Sequence, residues 1–233
     1  MKSIFKRVER KYYLSNNQFI DFLKLIEERL ILDKYSKGNG YTVNSVYFDN
    51  ESNVLIHRSV NKPYFKEKLR ARSYSDDLIF LEIKRKIGNI VTKRRINLNN
   101  EEYYNFIEKR IIPSDFNEKD TQIAKEILYL IDKHHLVPKL HITYDRIAYY
   151  DKDDSTFRIT FDHNILYKEY NKEDTKVGVV VPNDEYVMEI KFENSLPLWI
   201  VKALNEVGLY DKRSFSKCGR AYKKIIEGDY DYV

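Results

Sequence analysis

From Lys66 to Arg95 the chain reads KEKLRARSYSDDLIFLEIKRKIGNIVTKRR, and its polar and apolar positions alternate with a period of two. That period belongs to strands, whose successive side chains project to opposite faces. Asp76-Asp77 and Gly88-Asn89 interrupt the alternation with turn-forming residues, so the stretch predicts three strands joined by two turns. On the first, Lys68, Arg70 and Arg72 share a face, and Leu69 and Ala71 take the other. On the second, Glu82, Lys84 and Lys86 share a face with Phe80, against Ile79, Leu81 and Ile83. On the third, Val91, Lys93 and Arg95 fall together. Cations crowded on one face repel one another unless an anion is present for part of the time.

The same periods organise the rest of the chain. Alternation over 8–14 predicts a first strand, with Glu9, Lys11 and Tyr13 on one face and Val8, Tyr12 and Leu14 on the other. Ser15 with Gln18 forms a capping-box pattern. Phe19, Phe22, Leu23, Ile26 and Leu30 then recur at helical spacing, in a helix expected to end before Gly38-Asn39-Gly40. Tyr41 to Phe48 reads as a strand, and Asp49 as the cap of a short helix reaching about Ser59. Asn99 or Asn100 opens a helix over 101–110, closed by Pro113, and a second amphipathic helix spans 120–133. Strands are expected over 139–150, 156–161 and 186–192, with a continuation over 165–170 and a charged loop over 171–176. A helix with Pro197 in its first turn should end at Gly208, and a Ser/Lys-rich loop, 212–219, leads to a C-terminal helical segment.

Composition narrows the class. The chain has 233 residues, is 42% hydrophobic and 33% charged, and shows no linker or low-complexity tract. It therefore predicts one α+β domain, 1–233, dominated by an antiparallel sheet. A net charge of +5 is too small to indicate nucleic acid by itself. The single cysteine, Cys218, excludes an intrachain disulfide framework and a Cys-based zinc site. No apolar run is long enough for a membrane span and no secretory leader is evident, so a soluble cytoplasmic protein is expected.

One pattern carries chemistry. Glu9-Arg10-Lys11, Glu82-Ile83-Lys84 and Glu189-Ile190-Lys191 each place a carboxylate and an ammonium two residues apart on one strand face. A single such pair is an ordinary surface ion pair worth ~0–1 kcal/mol. Its recurrence beside Arg70, Arg72, Lys93, Arg95 and Arg158 points instead to a curled sheet whose polar faces gather around a ligand and whose apolar faces are covered by helices. Arg and Lys suit a triphosphate. Carboxylates among them are explained by a divalent cation, Mg²⁺ or Mn²⁺, with Glu189 and Glu9 as its candidate ligands.

The segments RVERKYYL, SVYFDN, KLRARSY, FLEIKRK, VTKRR, ITYDRIAYY, FRITFD, VMEIK and SFSKCGR, in that order, resemble the triphosphate tunnel metalloenzyme (CYTH-like) superfamily. Within it they resemble the VTC domain, the polyphosphate polymerase part of the vacuolar transporter chaperone complex. The resemblance implies an eight-stranded antiparallel β-tunnel, a closed barrel with a hydrophilic, basic interior flanked by helices. It implies ATP bound through its triphosphate with a divalent metal, commonly Mn²⁺, and transfer of the terminal phosphoryl group to inorganic polyphosphate. It makes Lys11, Arg70, Arg72, Lys84, Lys93, Arg146, Arg158, Lys191, Ser216 and Lys217 the site residues, with Glu189 as metal ligand. ATP, polyphosphate, pyrophosphate and triphosphate are the implied partners. Hydrolysis of a triphosphate in the same tunnel, or binding without turnover, are the alternatives. A nucleic-acid partner is not expected, because the cations share faces with carboxylates.

Two positions depart from the pattern. Arg7 stands where the wider superfamily carries a first glutamate, and Ser214, next to Arg213, stands where a lysine is usual. The motif fits Glu82 either as a metal ligand or as a holder of neighbouring cations. The SPX domain and membrane spans of the eukaryotic arrangement are not expected here. The histidines His57, His134, His135, His141 and His163 show no metal-ligand spacing, and there is no phosphate-binding glycine loop. Phosphates would be held by side chains.

Overall fold

The computed structural model describes residues 7–36, 40–61, 64–75, 77–88, 90–170, 177–211 and 213–227. Asp76, Asn89, the 171–176 loop, Lys212 and the Gly38-Asn39 pair, all predicted turn or loop positions, lie outside them. The fold is α+β. Its strands are β1 (Arg7–Ser15), β2 (Leu30–Leu32), β3 (Tyr41–Asp49), β4 (Phe65–Ser75), β5 (Leu78–Ile87), β6 (Ile90–Leu98), β7 (Val137–Asp151), β8 (Arg158–Glu169), β9 (Gly178–Val179) and β10 (Glu185–Glu193). Its helices are α1 (Asn16–Ile26), α2 (Val54–Val60), α3 (Asn100–Lys109), α4 (Glu118–His134), α5 (Leu198–Glu206) and α6 (Lys217–Glu227).

Eight strands follow one hydrogen-bonded path, β1-β10-β8-β7-β3-β4-β5-β6, with β2 added to β7 and β9 to β8. The ladders β1–β10, β10–β8, β2–β7, β3–β4, β4–β5 and β5–β6 are all antiparallel. Among the described residues no backbone ladder joins the two ends of the path.

The chain forms two compact units. The first comprises Met1–Thr42, Tyr144–Ile165 and Val179–Ser216, and the second Val43–Thr143, Leu166–Gly178 and Lys217–Val233. Each buries its own core. In the first, Tyr12 and Leu14 of β1, Ile159 and Phe161 of β8, and Met188, Ile190 and Phe192 of β10 pack with Phe19, Phe22 and Ile26 of α1 and Ile200, Ala203 and Leu204 of α5. In the second, Leu69 and Ala71 of β4, Leu81 and Ile83 of β5, and Ile96 and Leu98 of β6 pack with Phe106 of α3 and Ile123, Ile127 and Ile131 of α4. The apolar strand faces are thus the helix-covered ones, as the alternation requires. The opposite strand parity carries Lys11 and Glu189 in the first unit, and Arg70, Glu82, Lys84 and Lys93 in the second.

Local signals fix the helix ends. Ser15 Oγ accepts from the Gln18 amide while Gln18 Oε1 accepts from the Ser15 amide, starting α1 where the capping box predicts. Asn99 and Glu102 do the same for α3. Asp49 caps α2 across a gap in sequence, its carboxylate accepting from the amides of Leu55 (3.0 Å) and Ile56 (2.8 Å). Its burial is satisfied by these bonds.

Three boundaries differ from the sequence expectation. α1 stops at Ile26, and Leu30 begins β2, paired to Asp151 of β7. Leu30 remains in the core, so its position fits the helical spacing although strand pairing decides its conformation. The segments 156–161 and 165–170 merge into the single strand β8. The C-terminal helix starts at Lys217, inside the expected loop.

Candidate functional site

In the first unit, β1, β10 and β8 lie side by side, so register sets which charges meet. Lys11 sits opposite Glu189, Glu9 opposite Lys191, Glu189 opposite Thr160, and Lys191 opposite Arg158. Lys11 Nζ lies 3.0 Å from Glu9 Oε1 and 3.3 Å from Glu189 Oε2, while Lys191 Nζ contacts Glu189 Oε1. Burial alone would lower the Lys11 pKa, but the charges of Glu189 and Glu9 overcome it and raise it above the ordinary lysine value. Burial would likewise raise the Glu189 pKa, yet Lys191, Lys11 and Arg146 hold it well below the carboxylate range.

Arg146 of β7 forms a two-pronged pair with Asp162 of β8, Nε to Oδ1 at 2.6 Å and Nη2 to Oδ2 at 2.8 Å, and both side chains are buried. The backbone at Arg146 is closely approached by Gly40, which has φ +103°, and a Cβ there would lie 2.4 Å from the Arg146 carbonyl oxygen. Only glycine fits. Arg158 donates to Asp33 Oδ2 at 2.7 Å and lies 4.9 Å from the Tyr150 ring centroid.

The SFSKCGR segment reaches this face through its backbone. Lys11 Nζ donates to the Phe215 carbonyl at 3.2 Å, and the Arg213 amide donates to the Lys11 carbonyl at 2.8 Å. The Phe215 ring packs edge-on to Tyr13, and the Arg213 guanidinium lies 5.7 Å from that ring's centroid. Arg213 therefore puts a cation beside Lys11 and Tyr13, next to the exposed Ser214. Ser216 follows directly, and Lys217 is the first residue of α6.

In the second unit the three strands β4, β5 and β6 place a cationic surplus on one face. Reading across them, Lys68, Lys84 and Lys93 form one row, Arg70, Glu82 and Arg95 the next, and Arg72, Phe80 and Asn97 a third. Glu82, 2% exposed, is the carboxylate at the centre. Arg70 Nε donates to its Oε2 at 2.6 Å, and Lys93 Nζ lies 2.7 Å from its Oε1. Arg70 Nη1 also reaches the Tyr47 hydroxyl at 3.4 Å. Burial would raise the Glu82 pKa, but Arg70, Lys93 and Arg72 lower it to about 2. For Lys93 the balance goes the other way: burial, then the charge of Arg70, push it down to about 8 against the pull of Glu82. Arg72 is buried, donates from Nη1 to the Tyr74 hydroxyl at 3.2 Å, and keeps Nε without a hydrogen-bond partner among the described residues.

The structure thus gathers Lys11, Lys191, Arg146, Arg158, Glu9 and Glu189 on one face, and Arg70, Arg72, Lys84 and Lys93 on the other unit's face. Among the described residues, no three His, Cys, Asp or Glu side chains converge as a ready-made metal cluster. A cation needing few protein ligands nevertheless fits the first unit. Two carboxylates already converge on one ammonium, and the buried Thr160 Oγ1, opposite Glu189, has no hydrogen-bond partner among the described residues. Mg²⁺-like ions commonly take one or two carboxylates and leave the remaining positions to water and phosphate.

A family model of the VTC domain matches residues 6–226. The chain belongs to the VTC-domain family. One solved structure supports the fold. A candidate adenylate cyclase of Bacillus halodurans is 14% identical, with 92% of this chain and 96% of that one covered at a TM-score of 0.53. Another, of Vibrio parahaemolyticus, is 11% identical, with 96% and 98% covered at a TM-score of 0.48. No match is found among curated proteins. This VTC domain has no helix, among its described residues, long and apolar enough to cross a membrane.

Three residues of this VTC domain's polar faces escape the strand motifs. Asp162 shares strand parity with Arg158, but nothing in the sequence links it to Arg146. Asp33 lies in a loop with no motif, far from Arg158 in sequence. Tyr47 looks like one of many strand tyrosines until its hydroxyl meets Arg70.

Proposed function

We propose that this VTC domain is a metal-dependent polyphosphate polymerase that transfers the terminal phosphoryl group of ATP to a growing inorganic polyphosphate chain. The observation that carries the proposal is the crowding of cations on the β4–β5–β6 face around one buried carboxylate. The cross-strand row Lys68–Lys84–Lys93 sets three cations in neighbouring ladder positions, which suits a polyanion.

In the second unit, Arg70, Arg72, Lys84 and Lys93 would bind phosphate oxygens. Glu82 would hold Arg70 and Lys93 in place, since its two oxygens meet those two side chains and, among the described residues, no second carboxylate stands beside it on this face. In the first unit, Lys11, Lys191, Arg146 and Arg158 would offer cations of their own, with Arg213 and Ser216 beside them; Lys217 is a further candidate, in the second unit. Glu189 and Glu9 would hold the divalent cation, which when bound spreads the charge developing on the transferred group. Phosphoryl transfer needs chiefly positioning and electrostatic stabilisation. The attacking oxyanion of a polyphosphate end is already nucleophilic, which agrees with a site built of cations.

The test is purified protein with ATP and Mn²⁺, products resolved by gel and phosphorus NMR. Long phosphate chains are expected, and Glu189→Gln should remove metal-dependent turnover and also lower the thermal melt, because it strips Lys11 and Lys191 of a shared carboxylate. Glu9→Gln, at the more exposed carboxylate, should weaken metal-dependent turnover with a smaller change in the melt. Free phosphate as the only product would replace the polymerase with a triphosphatase. Binding without turnover in any metal would leave a polyphosphate-binding domain.

A further inference from the structure

Along the β4–β5–β6 face the chemistry changes from one end to the other. The row Lys68–Lys84–Lys93 is wholly cationic and the row Arg70–Glu82–Arg95 is mixed. The third row, Arg72–Phe80–Asn97, brings in an aromatic ring and an amide. Beyond it Tyr74, 38% exposed, meets Phe80 edge to face with ring centroids 5.6 Å apart. Arg95 lies 4.8 Å from the Phe80 centroid, and Arg72 lies 5.9 Å from that of Tyr74. Two rings and two guanidinium planes therefore stand beside an exposed carboxamide at one end of a phosphate-suited face.

We propose that the Tyr74–Phe80–Asn97 end of this face receives the nucleoside of a nucleoside triphosphate, with its phosphates running toward Lys68, Lys84 and Lys93. This deepens the proposed function and rests on the phosphate reading of the same face. Aromatic rings and arginine planes are the surfaces on which nucleobases stack. The Asn97 carboxamide offers a donor and an acceptor side by side, the pair that matches an adenine edge. Dimensions agree. Residues two apart on a strand are ~6.8 Å apart, so the Phe80 row and the Lys84 row are separated by about 14 Å, comparable to an extended nucleoside triphosphate. Inorganic triphosphate would engage only the cationic rows. The aromatic end thus assigns a preference for the nucleotide as phosphoryl donor over bare triphosphate.

Calorimetric titration separates the two ends. The non-hydrolysable imido analogue of ATP and inorganic tripolyphosphate would each be titrated, with Mn²⁺, into the unaltered protein, Phe80→Leu and Asn97→Ala. Phe80→Leu nearly conserves volume, and Asn97 is exposed, so the second variant stays informative if the first folds poorly. Each variant should weaken the ATP analogue by about tenfold, the scale of one base–aromatic contact, while tripolyphosphate changes less than about twofold. Equal weakening of both ligands, or of neither, would overturn the nucleoside end and leave Phe80 as packing for Arg95. If the unaltered protein fails to bind tripolyphosphate, the phosphate reading itself falls, and the nucleoside end with it.

Discussion

The two charged faces use the same residue types and reach opposite electrostatic states. On the β1–β10–β8 face of the first unit, Lys11, Lys191, Arg146 and Arg158 meet Glu9, Glu189, Asp162 and Asp33 one for one. On the β4–β5–β6 face, Arg70 and Lys93 share the single buried carboxylate Glu82, and Lys68, Lys84 and Arg95 stand in the adjoining ladder positions. The lysines report the difference. Lys11 is pulled above the ordinary lysine pKa by two carboxylates, whereas Lys93 is pushed down to about 8 by burial and Arg70. A balanced face can exchange a cation for a cation and so suits a metal. A cation-rich face is relieved only by an anion. Counting charged residues along the sequence does not separate these cases; the sign of the lysine shift does.

The comparison is broken most forcefully at the balanced face. Asp162→Ala would leave the buried Arg146 guanidinium unpaired, and loss of one partner of a buried pair costs ~3–5 kcal/mol. Denaturant melts should show that loss. Asp162→Asn, which keeps shape and one acceptor, should recover part of it. If Asp162→Ala melts with the unaltered protein, the pair is not what holds Arg146, and the one-for-one account of this face is wrong.

At the cation-rich face the same kind of truncation should act on function rather than on stability. Lys84→Ala removes one member of the Lys68–Lys84–Lys93 row, at an exposed position. The melt should shift less than for Asp162→Ala, while transition-state stabilisation drops by ~2–4 kcal/mol if Lys84 is an oriented phosphate donor, by analogy with loss of one oxyanion-hole donor. Turnover with ATP and Mn²⁺, read beside the thermal melt, checks both halves. A variant that loses stability and keeps turnover would reverse the contrast between the faces.

Much of this was legible in the strand alternation. Period two assigned Lys68, Arg70, Arg72, Glu82, Lys84, Lys93, Glu9, Lys11, Glu189 and Lys191 to polar faces, and the helix-covered cores bear this out. It could do so because in a strand the face of a side chain depends only on parity. Partnership depends on register between distant segments, and that the sequence hides. Asp33 meets Arg158 across 125 positions of sequence, and Lys11 meets the Phe215 carbonyl across 204. Leu30 shows the matching failure for elements: its helical spacing was real, but pairing with Asp151 decided its conformation.

The smallest effect is the one that most directly reads the sign difference. The unfolded chain keeps the Lys93 proton up to its ordinary pKa of 10.5, and the folded one releases it near 8. Between those values the unfolded state binds more protons, so this group makes stability rise with pH. Anion affinity should move the other way. Below about pH 8 Lys93 is a cation and attracts phosphate. Above it the attraction fades, and binding tripolyphosphate must then take up a proton to restore it. Affinity should therefore decline by less than tenfold per pH unit above 8, with proton uptake seen when the titration is repeated in buffers of different ionisation enthalpy. Lys93 is 46% exposed on its side chain, so solvent tempers the effect. Lys93→Arg, whose charge persists to far higher pH, should flatten the profile. An equally steep decline in Lys93→Arg would assign the pH dependence to another group and remove Lys93 as the marker that distinguishes the two faces.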